Sequence, residues 1–162
     1  MCGVLLAGCG EAAIPRDRDL IARFEQNRAG FIALRDLAMQ ETRVVRIGEG
    51  FIWLENDFTP TPAEVQSALP PERMTRYKNL FKQLGLPTDI SINRAEQSVC
   101  MYAYARGLAV SGSGKGYCWL AEPPERLLTV PLESWPEAGF VGGDFDGYRE
   151  IEPGWYLHQD ST

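Results

Sequence analysis

The sequence predicts an α+β fold, in which a mainly antiparallel sheet carries N-terminal helices packed on one face. Apolar residues recur at helical spacing in much of the first half, and from residue 88 onward they alternate with polar residues as in strands. Short turn segments separate these later strands, which is typical of consecutive hairpins. The chain has 162 residues, 44% hydrophobic and 23% charged, which is the composition of one globular domain.

The first helix is predicted over Asp17 to Gln40. Its apolar residues repeat at the spacing of one helix face, while arginine and aspartate occupy the opposite face. Those apolar residues are Leu20, Phe24, Phe31, Leu34 and Ala38. Gly30 interrupts this helix at a cost of about 1 kcal/mol relative to alanine, so we expect it to permit a close contact with another helix.

Two further helices are predicted from their end signals. Thr61-Pro62-Ala63-Glu64 is a capping box with proline at the first helical position, and Pro70-Pro71 ends the short helix that follows. The next helix ends at Gly85, with Leu86 as the hydrophobic contact of a Schellman motif.

Hairpins account for the remaining elements. The segment TRVVRI-GEG-FIWLE has β-branched and aromatic residues on both sides of a glycine-rich turn. Further strands are predicted in TDISINR, SVCMYAYARG, KGYCWL and GYREIEPGWYLHQ, the last of which turns at Glu152-Pro153-Gly154. In the second of these, strict alternation would place Cys100, Tyr102 and Tyr104 on one face, and Val99, Met101, Ala103 and Ala105 on the other.

The charge of the chain is concentrated near its C-terminal end. Residues 122–162 contain nine acidic residues and two arginines, while the whole chain has a net charge of -6. Such a region repels nucleic-acid phosphates and anionic lipid headgroups, so we predict no nucleic-acid partner. It suits a basic protein partner or a cation, or it simply keeps the protein soluble.

Two loop motifs resemble ligand-binding motifs only in part. In SGSGKG, Gly116 follows Lys115 where a phosphate-binding loop requires serine or threonine, and both flanks are predicted strands. The segment GGDFDGYREIE offers Asp144, Asp146, Glu150 and Glu152 to calcium but lacks the spacing of a calcium loop. We therefore predict no cofactor and no metal.

Catalytic patterns are weak as well. No Gly-x-Ser-x-Gly motif surrounds Ser111 or Ser113, and the sequence places no serine or cysteine beside His158 in the terminal strand. The chain is therefore predicted not to be an enzyme. The alternative, a small hydrolase, would require His158 or a pair of acidic residues to act as the catalytic base.

The sequence has four cysteines, at Cys2, Cys9, Cys100 and Cys118. They form no C-x-x-C pair, and the sequence contains only one histidine. This spacing is a poor match to a zinc site. If the first two cysteines serve export and lipid attachment, Cys100 and Cys118 remain either as a disulfide or as two buried free thiols.

One tryptophan is a candidate partner anchor. Trp53, Trp119 and Trp155 lie on predicted strands and are expected in the core, whereas Trp135 lies in a loop beside Pro136. Aromatic residues are enriched in the centres of protein interfaces. The predicted partner-binding residues are Trp135 and the acidic residues Glu122, Glu133, Glu137, Asp144 and Asp146.

The N-terminal segment Leu6-Ala7-Gly8-Cys9 resembles the bacterial lipobox, in which the cysteine receives diacylglycerol after the preceding segment is removed. The resemblance implies lipid attachment at Cys9 as the only contact with the membrane. Residues 1–15 would then be the signal and tether, and residues 16–162 a single α+β domain. The alternative is an apolar N-terminal strand in an ordinary core.

A second resemblance covers residues 98–158. The segments GLAVSGSGKGYCWLAEPPERLL, PLESW and YREIEPGWYLH are similar to a group of small proteobacterial lipoproteins that serve as immunity proteins against type VI secretion effectors, especially lipases. The matching positions are Lys115, Gly116, Tyr117, Pro123, Pro124, Tyr148, Arg149, Trp155, Tyr156 and Leu157. They have the character of fold-defining residues.

This resemblance implies a periplasmic protein, anchored in the outer membrane, that binds a toxic effector and blocks its active site or lid motion. The effector would be a phospholipase or another lipase. The alternative function is that of a general outer-membrane lipoprotein with a structural or assembly role.

Overall fold

The described structure is an α+β fold in which one antiparallel sheet of seven strands carries helices on one face, as the sequence predicts. It is a computed structural model and describes residues 14–108, 111–134 and 145–161. The strands lie in the order β2-β1-β3-β4-β5-β7-β6. The helices are α1 (Asp17–Met39), α2 (Pro62–Ala68) and α3 (Pro71–Leu84). The strands are β1 (Val44–Gly48), β2 (Phe51–Leu54), β3 (Ile90–Asn93), β4 (Ser98–Leu108), β5 (Ser111–Leu120), β6 (Phe145–Glu152) and β7 (Trp155–Ser161).

Helices α1 and α3 pack closely because Gly30 has no side chain. A Cβ atom at Gly30 would lie only 2.9 Å from Cδ2 of Leu84. At the other end of the helix pair, the buried Glu41 accepts a hydrogen bond from the Tyr77 hydroxyl at 3.1 Å and pairs with Arg73 at 3.0 Å. The close helix contact expected at Gly30 is therefore present.

The predicted helix ends are confirmed. Thr61 and Glu64 form a reciprocal capping box at the start of α2. Gly85 ends α3 in the left-handed conformation, with φ of 63°, and the Leu86 N–H donates to the carbonyl of Phe81 at 3.0 Å. This 6→1 hydrogen bond is the Schellman geometry, and Leu86 is buried as expected.

A β-bulge corrects the predicted alternation of β4. Tyr102 lies opposite Gly116, but Tyr104 lies opposite Lys115, so Ala103 is an extra residue in the strand. Lys115 points to the helix-covered face, and directly opposed residues share a face. The expectation that Cys100, Tyr102 and Tyr104 share one face is therefore wrong for Tyr104. The expectation that Ala105 shares the face of Val99 and Met101 is wrong as well, because Ala105 lies opposite Gly114 on the disulfide face.

Aromatic side chains fill the space between α1 and the centre of the sheet. Phe24 and Phe31 of α1 lie 5.1 Å apart, and Phe31 contacts the ring of Tyr117 at 4.5 Å between centroids. Trp155 of β7 packs against Phe24, also at 5.1 Å. The hydroxyl of Tyr117 remains hydrogen-bonded because it donates to the Leu20 carbonyl at 2.9 Å.

The opposite face of the sheet carries a disulfide between Cys100 of β4 and Cys118 of β5, which lie directly opposite each other. Of the two alternatives open from the sequence, the structure has the disulfide. Arg46 lies on the same face, bonded through two nitrogens to Asp89 at 3.1 Å each, and its guanidinium covers the ring of Tyr102 at 5.5 Å.

A buried ion cluster joins the start of α1 to the sheet. The side chain of Lys115 is fully buried, and its Nζ lies 2.7 Å from Oδ1 of Asp17. Arg149 of β6 donates to Oδ2 of Asp17 at 2.8 Å, as does the backbone N–H of Leu132. Glu133 completes the cluster, since its Oε2 accepts from the Asp17 N–H at 3.0 Å and lies 3.3 Å from Nζ of Lys115.

The charges of this cluster control the ionisation of Asp17. Burial acts to raise the pKa of Asp17, but hydrogen bonds with Glu133, Lys115 and Arg149 outweigh it, and the pKa lies below its usual range. A lowered pKa in the folded state means that the ionised carboxylate stabilises the fold. This contribution is present above the pKa of the unfolded chain and is lost as the pH falls through the folded pKa.

We expect Asp17→Asn to lower the free energy of unfolding by about 3–5 kcal/mol at neutral pH, because it removes one partner of a buried ion pair. The difference from the wild type should begin to shrink below about pH 4, where Asp17 of the unfolded chain becomes protonated, and should vanish as the pH falls through the lower pKa of the folded state. Urea unfolding across this pH range measures both effects.

Asp19→Asn is the matched control, since Asp19 lies in the same helical turn with its side chain mostly exposed and paired with the likewise exposed Arg18. It should change stability by less than about 1 kcal/mol. Equal losses for the two variants would contradict the assigned role of the cluster.

Candidate functional site

A large open groove lies between α2, α3 and the β1–β2 turn, and we call it the α2–α3 groove. Its volume is about 1200 Å³. The walls come from residues 48–52, from the segment 58–69, and from one side of α3 with the chain that follows it. The proline-rich connections at Pro60, Pro62 and Pro71 hold α2 as a short separate helix beside the sheet edge.

The groove has an apolar floor and an aromatic mouth. Leu69, Phe81 and Leu86 are buried at its base. Phe58 stands at the mouth with 65% of its surface exposed, and its ring contacts that of Trp53 edge-on at 5.3 Å. Exposed aromatic side chains beside a concave apolar surface mark an interaction site more often than isolated exposed residues do.

The ring of Phe51 is held at the groove because Gly48 leaves room for it. A Cβ atom at Gly48 would lie 2.1 Å from the Phe51 ring, which would have to move away. The same ring packs against Trp53 at 5.2 Å. The β1–β2 hairpin therefore presents a supported aromatic surface to the groove.

The rim of the groove is positively charged. Lys78 and Lys82 line it from successive turns of α3, and both side chains are exposed. Within the part of the chain that the structure describes, neither lysine has a carboxylate within 4.0 Å. Glu49 is the acidic residue of the lining, on the hairpin side. The two lysines face the groove from one helix.

The described lining of the groove is mainly apolar, with few side chains able to take part in acid–base or nucleophilic chemistry. Its described lining contains no histidine, cysteine or serine, and Glu49 is its carboxylate. Nucleophilic catalysis needs a nucleophile within hydrogen-bond reach of a base. The groove instead combines apolar area with two cations at fixed spacing.

The residues predicted to bind a partner do not form one patch. Trp135, Glu137 and Asp144 lie outside the described residues, as does Cys9. Asp146 of β6 lies opposite Asp160 of β7, which in turn lies opposite Gly114 near the start of β5. Glu122, in contrast, follows the end of β5. At about 3.3 Å per residue, this puts Glu122 and Asp146 at opposite ends of the sheet.

Two of the acidic residues already have partners within the molecule. Glu133 belongs to the cluster around Asp17, and Asp146 lies 2.6 Å from Nε2 of His158 through Oδ1. Glu122 is exposed beyond β5. That these residues contact another protein stays a prediction.

The histidine that a hydrolase would need lies on the disulfide face of the sheet. His158 is 7% exposed, and its ring stacks on Tyr148 with 4.5 Å between centroids. Burial and the nearby Asp146 raise the pKa of Tyr148 to about 12, so its hydroxyl stays protonated at neutral pH. Both nearby sulfurs are joined in the disulfide and supply no free thiol.

The positions that carry the family resemblance hold the fold together. Lys115 and Arg149 bind Asp17, and Tyr117 donates to the backbone of α1. Trp155 and Leu157 are buried in the core. These contacts explain why the matching residues have the character of structural residues.

Sequence reasoning missed the α2–α3 groove. Its residues come from three separate segments, and no local motif marks their proximity. One signal was available: Phe58, Val65 and Met74 are apolar residues in an otherwise polar and proline-rich stretch. They line the groove in the structure.

No helix of the described residues is long and apolar enough to cross a membrane. Comparisons of the chain with protein-family models, with curated proteins and with solved structures found no match.

We expect the amides of α2 to exchange with solvent at least about tenfold faster than those of α3, because none of the α2 residues is buried. Thr61→Ala should accelerate exchange in α2 further, by about fivefold, since losing the cap costs about 1 kcal/mol. Amide hydrogen exchange read by mass spectrometry measures both rates.

Thr75→Ala, on the exposed side of α3, is the control and should leave the exchange rates of α2 unchanged. Equal protection of α2 and α3 in the wild type would contradict the expectation.

Proposed function

We propose that this chain is a non-enzymatic immunity protein, which binds and neutralises a cognate secreted toxic effector in the periplasm. The effector would be a lipase or phospholipase, as the sequence resemblance implies. The observation that carries the proposal is the α2–α3 groove, an open apolar surface with a cationic rim and no catalytic pair in its described lining.

The size of the groove favours a protein segment as its occupant. Its volume of about 1200 Å³ exceeds the range of about 300–1000 Å³ that is common for small-molecule sites. An amphipathic helix laid into an apolar groove is a recurrent mode of protein recognition. The open form of the groove suits such a segment.

The charges of the groove favour an acidic flank on that segment. Lys78 and Lys82 are four residues apart on α3, so their side chains are neighbours on the helix surface. Two carboxylates one helical turn apart on the partner would match them. We therefore commit to one occupant, an apolar helical segment of the effector with acidic residues along one side, such as a lid over a lipase active site.

The exported location has its own support. Disulfides persist in oxidising compartments such as the bacterial periplasm and are rare in the cytosol. The Cys100–Cys118 bond therefore fits the export that the lipobox resemblance at Cys9 implies. Exposed acidic residues such as Glu122 would steer the encounter with a basic region of the effector.

A competition assay in the bacterium that encodes this chain tests the proposal. We expect a strain that lacks the gene for this chain and the gene for its proposed effector to be killed by the parent strain, and to be rescued by the exported wild-type chain. The double change Lys78→Glu and Lys82→Glu should abolish rescue, because it reverses the rim charge and weakens binding by at least about tenfold.

The control is Arg76→Glu, which reverses one charge on α3 outside the groove lining and should rescue fully, whereas Lys78→Glu or Lys82→Glu alone should already weaken rescue. Survival of the deletion strain without rescue would contradict the immunity function and favour a structural lipoprotein. Full rescue by the double variant would contradict the groove as the binding site. Equal rescue by a copy confined to the cytoplasm would contradict the periplasmic location.

Lipid attachment predicts a measurable change at the N-terminus. The native protein should begin at Cys9 with the mass of a diacylglycerol added, and Cys9→Ala should release the protein from the membrane fraction. Intact-mass measurement of the purified native protein checks this, with Cys2→Ala as the control that leaves the anchor unchanged. An unmodified N-terminus that retains residues 1–8 would contradict it.

A further inference from the structure

Three side chains that bind soft metal ions meet on the disulfide face of the sheet. Cys100 and Cys118 are directly opposite on β4 and β5, and His158 lies on the adjacent strand β7, two residues from the partner of Cys118. Their ligand atoms all lie within 4.8 Å of one another. The three strands that hold them are adjacent and hydrogen-bonded, so the cluster has a rigid support.

We propose that the reduced chain binds one Zn²⁺ ion through the thiolates of Cys100 and Cys118 and the imidazole of His158. Zinc binds thiolate sulfur at about 2.3 Å and imidazole nitrogen at about 2.0–2.1 Å, which puts the ligand atoms of a tetrahedron about 3.4–3.8 Å apart. The ligand atoms here lie within 4.8 Å of one another, and the two sulfurs, bonded to each other in the disulfide, would move apart to this separation on reduction. Two sulfurs and one nitrogen are also the donor types that select zinc over harder cations.

The surroundings of the cluster match those of a zinc site. Cys118 is 1% exposed and His158 is 7% exposed, while Cys100 is half-buried, so most of the site is shielded from solvent. Oδ1 of Asp146 lies 2.6 Å from Nε2 of His158, and a carboxylate in contact with a ligating histidine orients its ring and raises its basicity. Tyr148 stacks on the same ring and limits its rotation further.

The disulfide and the metal exclude each other, so the site is controlled by redox state. When a disulfide oxidant exchanges with the two thiolates, a sulfur–sulfur bond forms between Cys100 and Cys118. The oxidant takes up two electrons and leaves as two thiolates, which take protons from water, while Zn²⁺ is released. A dithiol reductant reverses the step and restores the ligands. This site is on the face of the sheet opposite the helices, and its proposal does not rest on effector binding.

The test uses the full chain with Cys2→Ser and Cys9→Ser, so that only the two sheet cysteines can supply thiolates. The protein is reduced with a phosphine under anaerobic conditions and titrated with Zn²⁺, and separately with Co²⁺ as a spectroscopic probe. We expect one ion per chain and a cobalt spectrum with tetrahedral d–d bands and thiolate charge transfer. The oxidised protein should bind neither ion at the site.

Ligand variants then identify the site. His158→Gln should weaken zinc affinity by about 100-fold or more, and Asp146→Asn by about tenfold, as expected for a residue that supports a ligand. Gln159→Asn is the matched control on the same strand, because residue 159 faces away from the cluster. Wild-type affinity in His158→Gln, zinc binding by the oxidised chain, or an octahedral cobalt spectrum would each overturn the proposal.

A measurement of thermal stability tests zinc binding even when a variant or the reduced chain folds poorly. Zinc should raise the midpoint of thermal unfolding of the reduced chain and leave that of the oxidised chain unchanged, since a ligand stabilises only the state that binds it. Circular dichroism reports whether the reduced chain is folded before metal is added. Absence of any zinc-dependent change in the reduced chain, folded or not, would also overturn the proposal.

Discussion

The buried pairing of Lys115 with Asp17 is the constraint on which the rest of the architecture depends. A fully buried ammonium group is tolerated only when it is paired, and Asp17 lies 2.7 Å away at the start of α1. The same carboxylate accepts hydrogen bonds from Arg149 on β6 and from the backbone of Leu132. One aspartate thus fixes where the first helix begins, how it lies on β5, and where the segment before β6 returns to the sheet.

The sheet separates two chemical environments. On the helix side, α1 and α3 cover the core, while α2 stands apart and leaves the apolar groove with Lys78 and Lys82 at its rim. On the other side, a disulfide, a histidine and an aspartate gather across neighbouring strands. We propose the groove as the site that recognises another protein, and the cluster as a zinc site of the reduced chain. Neither depends on the other, so the molecule can carry both.

The proposed partner would meet both positive and negative surface charge on this protein. The groove presents cations from α3, although the chain as a whole is acidic with a net charge of -6. The described acidic residues near the C-terminal end are divided between the two ends of the sheet, and Glu133 and Asp146 are already bonded within the molecule. The described acidic residues therefore do not form the single patch that recognition by acidic residues would need, and the geometry favours recognition through the groove. The acidic residues would instead act by long-range electrostatic steering of the partner.

The sequence by itself determined the fold class, the helix ends and most strands, because these depend on local signals: the capping box at Thr61, the glycine at Gly85 and the period of apolar residues. Tertiary structure alone decided which distant residues meet. The bulge in β4, the burial of Lys115 against Asp17, the approach of His158 to the two cysteines, and the groove all join segments far apart in the chain. No local pattern encodes such contacts, since they follow from strand order and register, which are set by the packing of the whole sheet.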